Sequence, residues 1–307
     1  EIYCTEVTGS FFEVAMSAHE QDSFLIAMCE NAEVFFGMLA AIDVENSQAW
    51  NPEDLKRIFK VVADEVGFSK LNSKVKAKMR EWVDATLKES LGAVGRDNEE
   101  QVRIKLSYAT TLCATARWDE ALDLYEQCLT VCKEVDGEHG LSVAAIYNNK
   151  ALVYQSKGES GDCLDLFQAA LNIRRRALGP RHRLVADTLN NIGIEFRRQG
   201  RFADALSVYD EALQIRLLMA GEMAISTTRE NSLSPAEEHD QLSVADSFHN
   251  IGIVYDAKGA YERAIKNYQR ALDIRISILG KNHLDVAVSL NNLATVYESQ
   301  VPDKKNV

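Results

Sequence analysis

Proline is almost missing from this chain: there are four in 307 residues. Because proline breaks helix interiors, its scarcity beside abundant Leu, Ala and Glu leaves long helices uninterrupted and points to an all-α chain. Long apolar runs are absent too. The longest, Val34 to Ile42, follows Glu30 and Glu33 and falls short of the ~18 residues of a membrane span. Residues 1–55 hold eleven Asp or Glu and no Lys or Arg. With a net charge of −12, the chain is a poor candidate for nonspecific nucleic-acid binding. No secretory leader is visible, and the first residue is Glu1, so the sequence is expected to be part of a longer protein. The cysteines, Cys4, Cys29, Cys113, Cys128, Cys132 and Cys163, form no CxxC pair. Most fall at apolar positions of helical patterns, as reduced, buried thiols of a cytoplasmic protein do. Cys128 and Cys132 can share a helix face, but a metal would need two more ligands and no His is placed to help.

What is present begins with an acidic, apolar region over residues 1–55. Patterns suggest a short helix from Ser10 to His19 and a longer one from Ser23 to about Ile42, apolar on most sides and therefore covered. Asn51-Pro52-Glu53-Asp54 reads as a helix start, with Asn as N-cap and Pro at N1, ending at Gly67. A further helix is expected from Asn72 to Leu91. It carries a basic face of Lys70, Lys74, Lys78, Lys76 and Arg80, either solvated or a docking strip for an acidic partner. Residues 1–97 form a helical N-terminal region whose last helix reads as a degenerate repeat half.

From about residue 101 the sequence repeats. Units start at Gln101, Val143, Val185, Val244 and Val286, spaced 42, 42, 59 and 42. The long interval is 42 plus 17, an insertion expected as a polar, mobile loop over 221–243 that contains Ser234-Pro235. Each unit has a small residue at its ninth position (Ala109, Ala151, Gly193, Gly252, Ala294) and a bulky one three further on (Leu112, Tyr154, Phe196, Tyr255, Tyr297). A second helical pattern then gives small (Ala121, Cys163, Ala205, Ala264), aromatic (Tyr125, Phe167, Tyr209, Tyr268) and small again (Cys128, Ala170, Ala212, Ala271). Small residues let two helices approach while bulky ones fill the groove beside them. Such a pair cannot bury its apolar face alone, so units must stack. The last unit has only its first helix before the tail 302–307, so its end is expected to need a cap from further chain or a partner.

The segments VADTLNNIGIEFRRQGRFADALSVYDEALQIR and SVADSFHNIGIVYDAKGAYERAIKNYQRALDIR, with the linkers LGPRHRLVA and LGKNHLDVA, resemble the tetratricopeptide repeat. The 42-residue length is similar to the longer variant of kinesin light chains and their relatives. HEAT and armadillo repeats have similar lengths but lack the small/aromatic spacing. The resemblance implies a right-handed α-solenoid of stacked helix pairs over residues 98–301, preceded by the helical N-terminal region.

Asn costs a helix interior about 0.5 kcal/mol relative to Ala, yet it recurs in two rows. One row is Asn148, Asn190, His249 and Asn291; the next is Asn149, Asn191, Asn250 and Asn292. Only the first unit, with Leu106-Ser107, departs. A carboxamide both donates and accepts, so it can pair with a peptide group whatever its side chain. By resemblance, the first helices line a concave face and the second row grips the backbone of an extended peptide. The alternative is a ladder that ties neighbouring helices together. Arg197 and Arg198 lie on the same face, and residues 174–201 hold eight Arg, including Arg174, Arg175, Arg176, Arg181, Arg183 and Arg201, against Asp187 and Glu195. Bidentate pairing by Arg suits an acidic or phosphorylated peptide. The positions where related arrays clamp a C-terminal carboxylate are Arg103, Ala145, Asp187, Asp246 and Val288, so no such clamp is expected. His182 and His283 share one loop position, which marks a structural role in the turn.

No nucleophile–base constellation, phosphate-cradling loop or metal spacing is present. The reading is a non-catalytic, cofactor-free interaction scaffold or adaptor that binds an extended peptide in its groove. The kinesin-light-chain resemblance implies a cytoskeletal or transport complex in the cytoplasm, cilium-associated in one variant. The alternatives are a structural subunit of an axonemal or other cytoskeletal assembly, and a regulatory domain of a larger enzyme.

Overall fold

A computed structural model describes Lys60 and residues 67–92, 98–226 and 234–300. The expected helices before Gly67, together with Cys4, Cys29 and the tail 302–307, lie outside the described residues. Regular structure among the described residues is all helical: α1 (Phe68–Gly92), α2 (Asn98–Ala114), α3 (Trp118–Asp136), α4 (Leu141–Lys157), α5 (Ser160–Leu178), α6 (Arg183–Arg198), α7 (Phe202–Ser226), α8 (Pro235–Ala257), α9 (Tyr261–Leu279) and α10 (Leu284–Gln300). They fall into two compact units, residues 1–132 and 133–307.

In the first unit α1 packs on α2. Val83 and Leu87 of α1 are buried, as are Ile104, Ala109 and Leu112 of α2 and Ala121 and Tyr125 of α3. A polar knot sits beside this core. Asp84 accepts from the Tyr108 hydroxyl at 2.7 Å, from Arg117 Nη1 at 2.6 Å and from Lys88 Nζ at 2.9 Å. Lys78 of the basic face pairs with Glu81 on its own helix.

The second unit is a stack of helix pairs. Successive helices from α4 to α10 pack on one another, and the first helices also touch in sequence, α4 on α6 and α6 on α8. The residues at the fixed small and aromatic positions make the core: Ala151, Cys163, Phe167 and Ala212 lie in one cluster, and Ala205 and Tyr209 in another with Val254. Gly193 and Gly252 show why the ninth position must be small. A Cβ on Gly193 would lie 2.5 Å from Tyr209 Cε1, and one on Gly252 would lie 2.8 Å from Tyr268 Cδ1. The turn between the helices of a pair needs a left-handed residue, supplied by Gly158, Gly200 and Gly259 and, in the first unit, by Ala116 at φ 58°. L residues other than glycine rarely hold that conformation.

His182 and His283 have the turn role their repetition suggests. Their Nδ1 atoms accept from the backbone N–H of Leu184 and Asp285, each at 3.2 Å. They cap α6 and satisfy a donor at the start of α10.

The 17-residue insertion differs from the expected loop. Its ends are helical: α7 runs to Ser226, at 25 residues against 19 for α5, and α8 starts at Pro235, at 23 residues against 16 for α6. The reason is local. Ser234 and Glu237 form a capping box, with Pro235 at N1 and acids in the first turn, which is a strong helix start.

Candidate functional site

The two Asn rows meet across unit boundaries. Asn191 Nδ2 on α6 donates to Asn148 Oδ1 on α4 at 3.2 Å. Asn250 Nδ2 on α8 donates to Asn190 Oδ1 on α6 at 2.9 Å. Asn292 Nδ2 on α10 faces His249 Nε2 on α8 at 3.5 Å. The second-row residue of one unit thus reaches back to the first-row residue of the unit before. Asn149 is engaged only sideways, accepting from Asn148 Nδ2 at 3.4 Å, and Asn291 is exposed. The link uses one N–H of Asn191 and of Asn250. Each keeps a second N–H and its carbonyl oxygen, the complementary pair that a peptide group would meet.

His249 packs against Tyr268 with the rings tilted and their centroids 5.4 Å apart. Burial, then Arg275 and Arg197, hold its pKa below the ordinary value, with Asp246 opposing, so the ring is neutral at pH 7. Its Nδ1 is buried without a hydrogen-bond partner, as are Arg197 Nε and the Tyr209 hydroxyl. The Arg197 guanidinium lies beside that hydroxyl without hydrogen-bonding geometry, and burial pushes the phenol up to about 12.

Arg198 serves the chain itself. Its Nη1 donates to Gln155 O at 2.7 Å and to Glu195 Oε2 at 2.9 Å. Glu195 is fully buried and also accepts from Gln155 and Gln199. Val153, Val254 and Val296 hold this position in the second, fourth and fifth units and Thr111 in the first; the buried carboxylate is tolerated because Gln155, Arg198 and Gln199 all donate to it.

The Arg-rich stretch does not present one cationic surface. Arg174 is buried and donates to Thr188 Oγ1 at 2.6 Å and Leu184 O at 3.2 Å. Arg216 repeats the contact with Ser247 Oγ at 2.8 Å and Ser243 O at 2.9 Å, and adds Asp187 at 2.8 Å. Arg275 does so with Ser289 Oγ and Asp246, both at 2.6 Å. The two Asp residues stand at the would-be clamp positions and are spent on these arginines. This row was missed from the sequence, although its signal is there: Arg at the thirty-second position of three units, Ser or Thr at the fourth position of the next.

No helix among the described residues is long and apolar enough to cross a membrane, and no group of three His, Cys, Asp or Glu there could hold a metal. A family model described as a tetratricopeptide repeat matches residues 100–162, 142–217 and 240–300, more than half of the chain. The chain belongs to the tetratricopeptide-repeat family. Its fold class is the all-α solenoid of helix pairs. Tetratricopeptide repeats generally serve as protein-interaction scaffolds, and no catalytic family is indicated. No curated protein matches the chain. Among solved structures, BtubC (BKLC) from P. vanneervenii is 20% identical with a TM-score of 0.54, covering 87% of this chain and 94% of that one. The apo form of the quorum sensor NprR from B. thuringiensis is 17% identical with a TM-score of 0.51, covering 92% and 72%. A Podosopora anserina structure named for a kinesin light chain, with nearly identical TPR-like repeats, is 17% identical with a TM-score of 0.49, covering 67% and 89%. At these identities the likeness is one of fold.

Proposed function

We propose that this tetratricopeptide chain is a non-catalytic adaptor that holds an extended peptide across the first helices α4, α6, α8 and α10. The observation that carries the reading is the half-used carboxamide of Asn191 and Asn250. Each is fixed by one N–H to the preceding unit, so it is oriented before a ligand arrives, and its remaining N–H and C=O are free for a peptide group. Preorientation of this kind lowers the ordering cost of binding. Asn149, Asn292 and the first-row residues Asn148, Asn190, His249 and Asn291 border the same path. Arg197 gives the middle of the path its positive charge and favours an acidic or phosphorylated residue there; Arg198 contributes less, because Nη1 is engaged within the chain. The 42-residue unit length, similar to that of kinesin light chains, is what supports a cytoskeletal or transport complex as the setting.

The test is a peptide array probed with wild type, with the pair Asn191→Ala and Asn250→Ala, and with the pair Asn148→Ala and Asn190→Ala. Both pairs break the inter-unit links. Loss of bound peptides only with the Asn191/Asn250 pair supports gripping by the second row. Equal effects of the two pairs would reduce the rows to a structural ladder.

A further inference from the structure

Counted from each unit start, positions twenty, twenty-three and twenty-seven lie along one side of the second helix. In the first three units they hold Glu120, Asp123 and Gln127, then Asp162, Asp165 and Ala169, then Asp204, Ser207 and Glu211. In the fourth they hold Arg263, Lys266 and Arg270, all exposed. One face has changed sign in a chain of net charge −12. The ion pairs that engage these positions elsewhere are missing from it. Arg117 pairs with Glu120 and Arg201 with Asp204, but the residue three before Arg263 is Ala260. Arg175 of α5 pairs with Glu211 of α7 at 2.6 Å, position thirty-three to position twenty-seven of the next unit. One unit on, those two positions are Leu217 and Arg270.

Arg263 and Arg270 are held without carboxylates. Their guanidiniums lie over rings of α8, 5.5 Å from the Tyr255 centroid and 5.3 Å from that of Phe248. Phe248 shares a core cluster with Leu213 of α7 and Ala271 of α9, so the row runs beside the seam where α7, α8 and α9 meet. Among the described residues no acid pairs with Arg263, Lys266 or Arg270. The acids of α9, Glu262 and Asp273, stand at other positions, and Asp273 accepts from Gln269 at 2.8 Å. An arginine set over a ring is oriented in advance and keeps its N–H groups for a carboxylate.

We propose that this row on α9 docks an acidic helix of another protein, with Asp or Glu at three- and four-residue spacing. The row spans about 10 Å, the length over which such carboxylates repeat on a helix laid alongside it. Leu217, 47% exposed, stands at the position that would meet Arg270, so an apolar residue at one end of the acidic face fits. The cationic face is one helix wide, because α7 carries Asp204 and Asp210, both exposed. A nucleic-acid duplex or an anionic membrane would press its phosphates on those acids, whereas a single helix would not. None of these residues belongs to the Asn rows, so the surface is separate from the peptide path along the first helices.

The probe is a fluorescent, end-capped helical peptide with Glu at i, i+3 and i+7 on one face, beside a twin with Gln at those positions. The full chain is expected to bind the Glu peptide saturably at about 50 mM salt and roughly tenfold more weakly at about 300 mM. The Gln twin, and Lys266→Glu in the chain, should each weaken binding by at least about tenfold. The triple variant Arg263→Gln, Lys266→Gln, Arg270→Gln should do the same. Lys266 has no ring contact, so Lys266→Glu keeps the test valid if the triple variant unfolds. The pair Asn191→Ala and Asn250→Ala should bind as wild type does, which separates this surface from the groove. Absence of saturable binding to wild type overturns the proposal, as does equal binding of the twin or of a folded Lys266→Glu chain. So does tighter binding of duplex DNA or of phosphatidylserine vesicles that Lys266→Glu abolishes, since a phosphate-bearing surface would then be the occupant. A wild-type dimer in low-salt sedimentation that Lys266→Glu converts to monomer also overturns it, in favour of a second copy.

Discussion

The side-chain amide of Asn250 donates to the carbonyl oxygen of Asn190 at 2.9 Å, tying α8 to α6 across a unit boundary. Such a bond contributes about 1 kcal/mol, and each Asn→Ala change regains about 0.5 kcal/mol of helix propensity. Single Asn190→Ala and Asn250→Ala variants are therefore expected to lose little. The double-mutant cycle should show a coupling of about 0.5–1 kcal/mol in urea unfolding. A coupling of zero would mean the bond is not formed in solution.

Gly193 and Tyr209 set a second expectation. Gly→Ala in a helix normally stabilises by about 1 kcal/mol. Here the new methyl would sit 2.5 Å from the Tyr209 ring, and overpacking costs about 1–3 kcal/mol. Gly193→Ala should lower the unfolding midpoint, and Tyr209→Leu should relieve part of the added cost in the double variant. The Gly252/Tyr268 pair should behave alike.

The buried arginines are unequal. Arg216 has a carboxylate partner in Asp187, whereas the corresponding position beside Arg174 is Ala145. Burial alone pulls the Arg174 pKa down, with Asp187 opposing only at a distance. Replacing Arg216 with Met strands Asp187 and Ser247 and should cost about 2 kcal/mol. Arg174→Met should cost clearly less, because an apolar side chain often replaces an unpaired buried charge at little loss. Equal losses in chemical denaturation would contradict this ranking.

Acid should loosen the first compact unit through Asp84. Burial raises its pKa, but the bonds from Tyr108, Lys88 and Arg117 outweigh burial and hold it below the ordinary carboxylate value. A depressed folded-state pKa contributes stability that is present above the unfolded value of about 3.9. That contribution is lost as pH falls through the folded value. Asp84→Asn should be less stable than wild type at pH 6, and the gap should close as pH drops below about 4. A gap that is constant with pH would show that the knot does not titrate.

Much of the second unit is legible in the sequence because its rules are steric and repeat: Ala151, Gly193 and Gly252 face an aromatic in each pair, and the His182 and His283 turns recur with them. The insertion is read less well. Composition marks residues 221–243 as polar, yet a helix that exposes one side is equally polar, and it is the capping box at Ser234 and Glu237 that starts α8 at Pro235. Arg174 and Arg216 are also hard to place from charge alone, since a buried arginine and a solvated one look alike until the Ser or Thr of the next unit is brought beside it. The Asn rows were visible as rows. That Asn191 spends one N–H on Asn148 and keeps the rest is a fact of register between helices, which a single unit does not contain.

The central claim is that Asn191 and Asn250 grip a peptide's backbone. Its most direct test takes a peptide selected on the array and replaces one backbone amide at a time with an ester, which removes the N–H and weakens the carbonyl. At the gripped position the ester should cost wild type about 1 kcal/mol of binding energy and cost the Asn191→Ala or Asn250→Ala variant nothing further. If every ester is tolerated by wild type, or if the ester loss is the same in both Asn variants as in wild type, the backbone is held by something else.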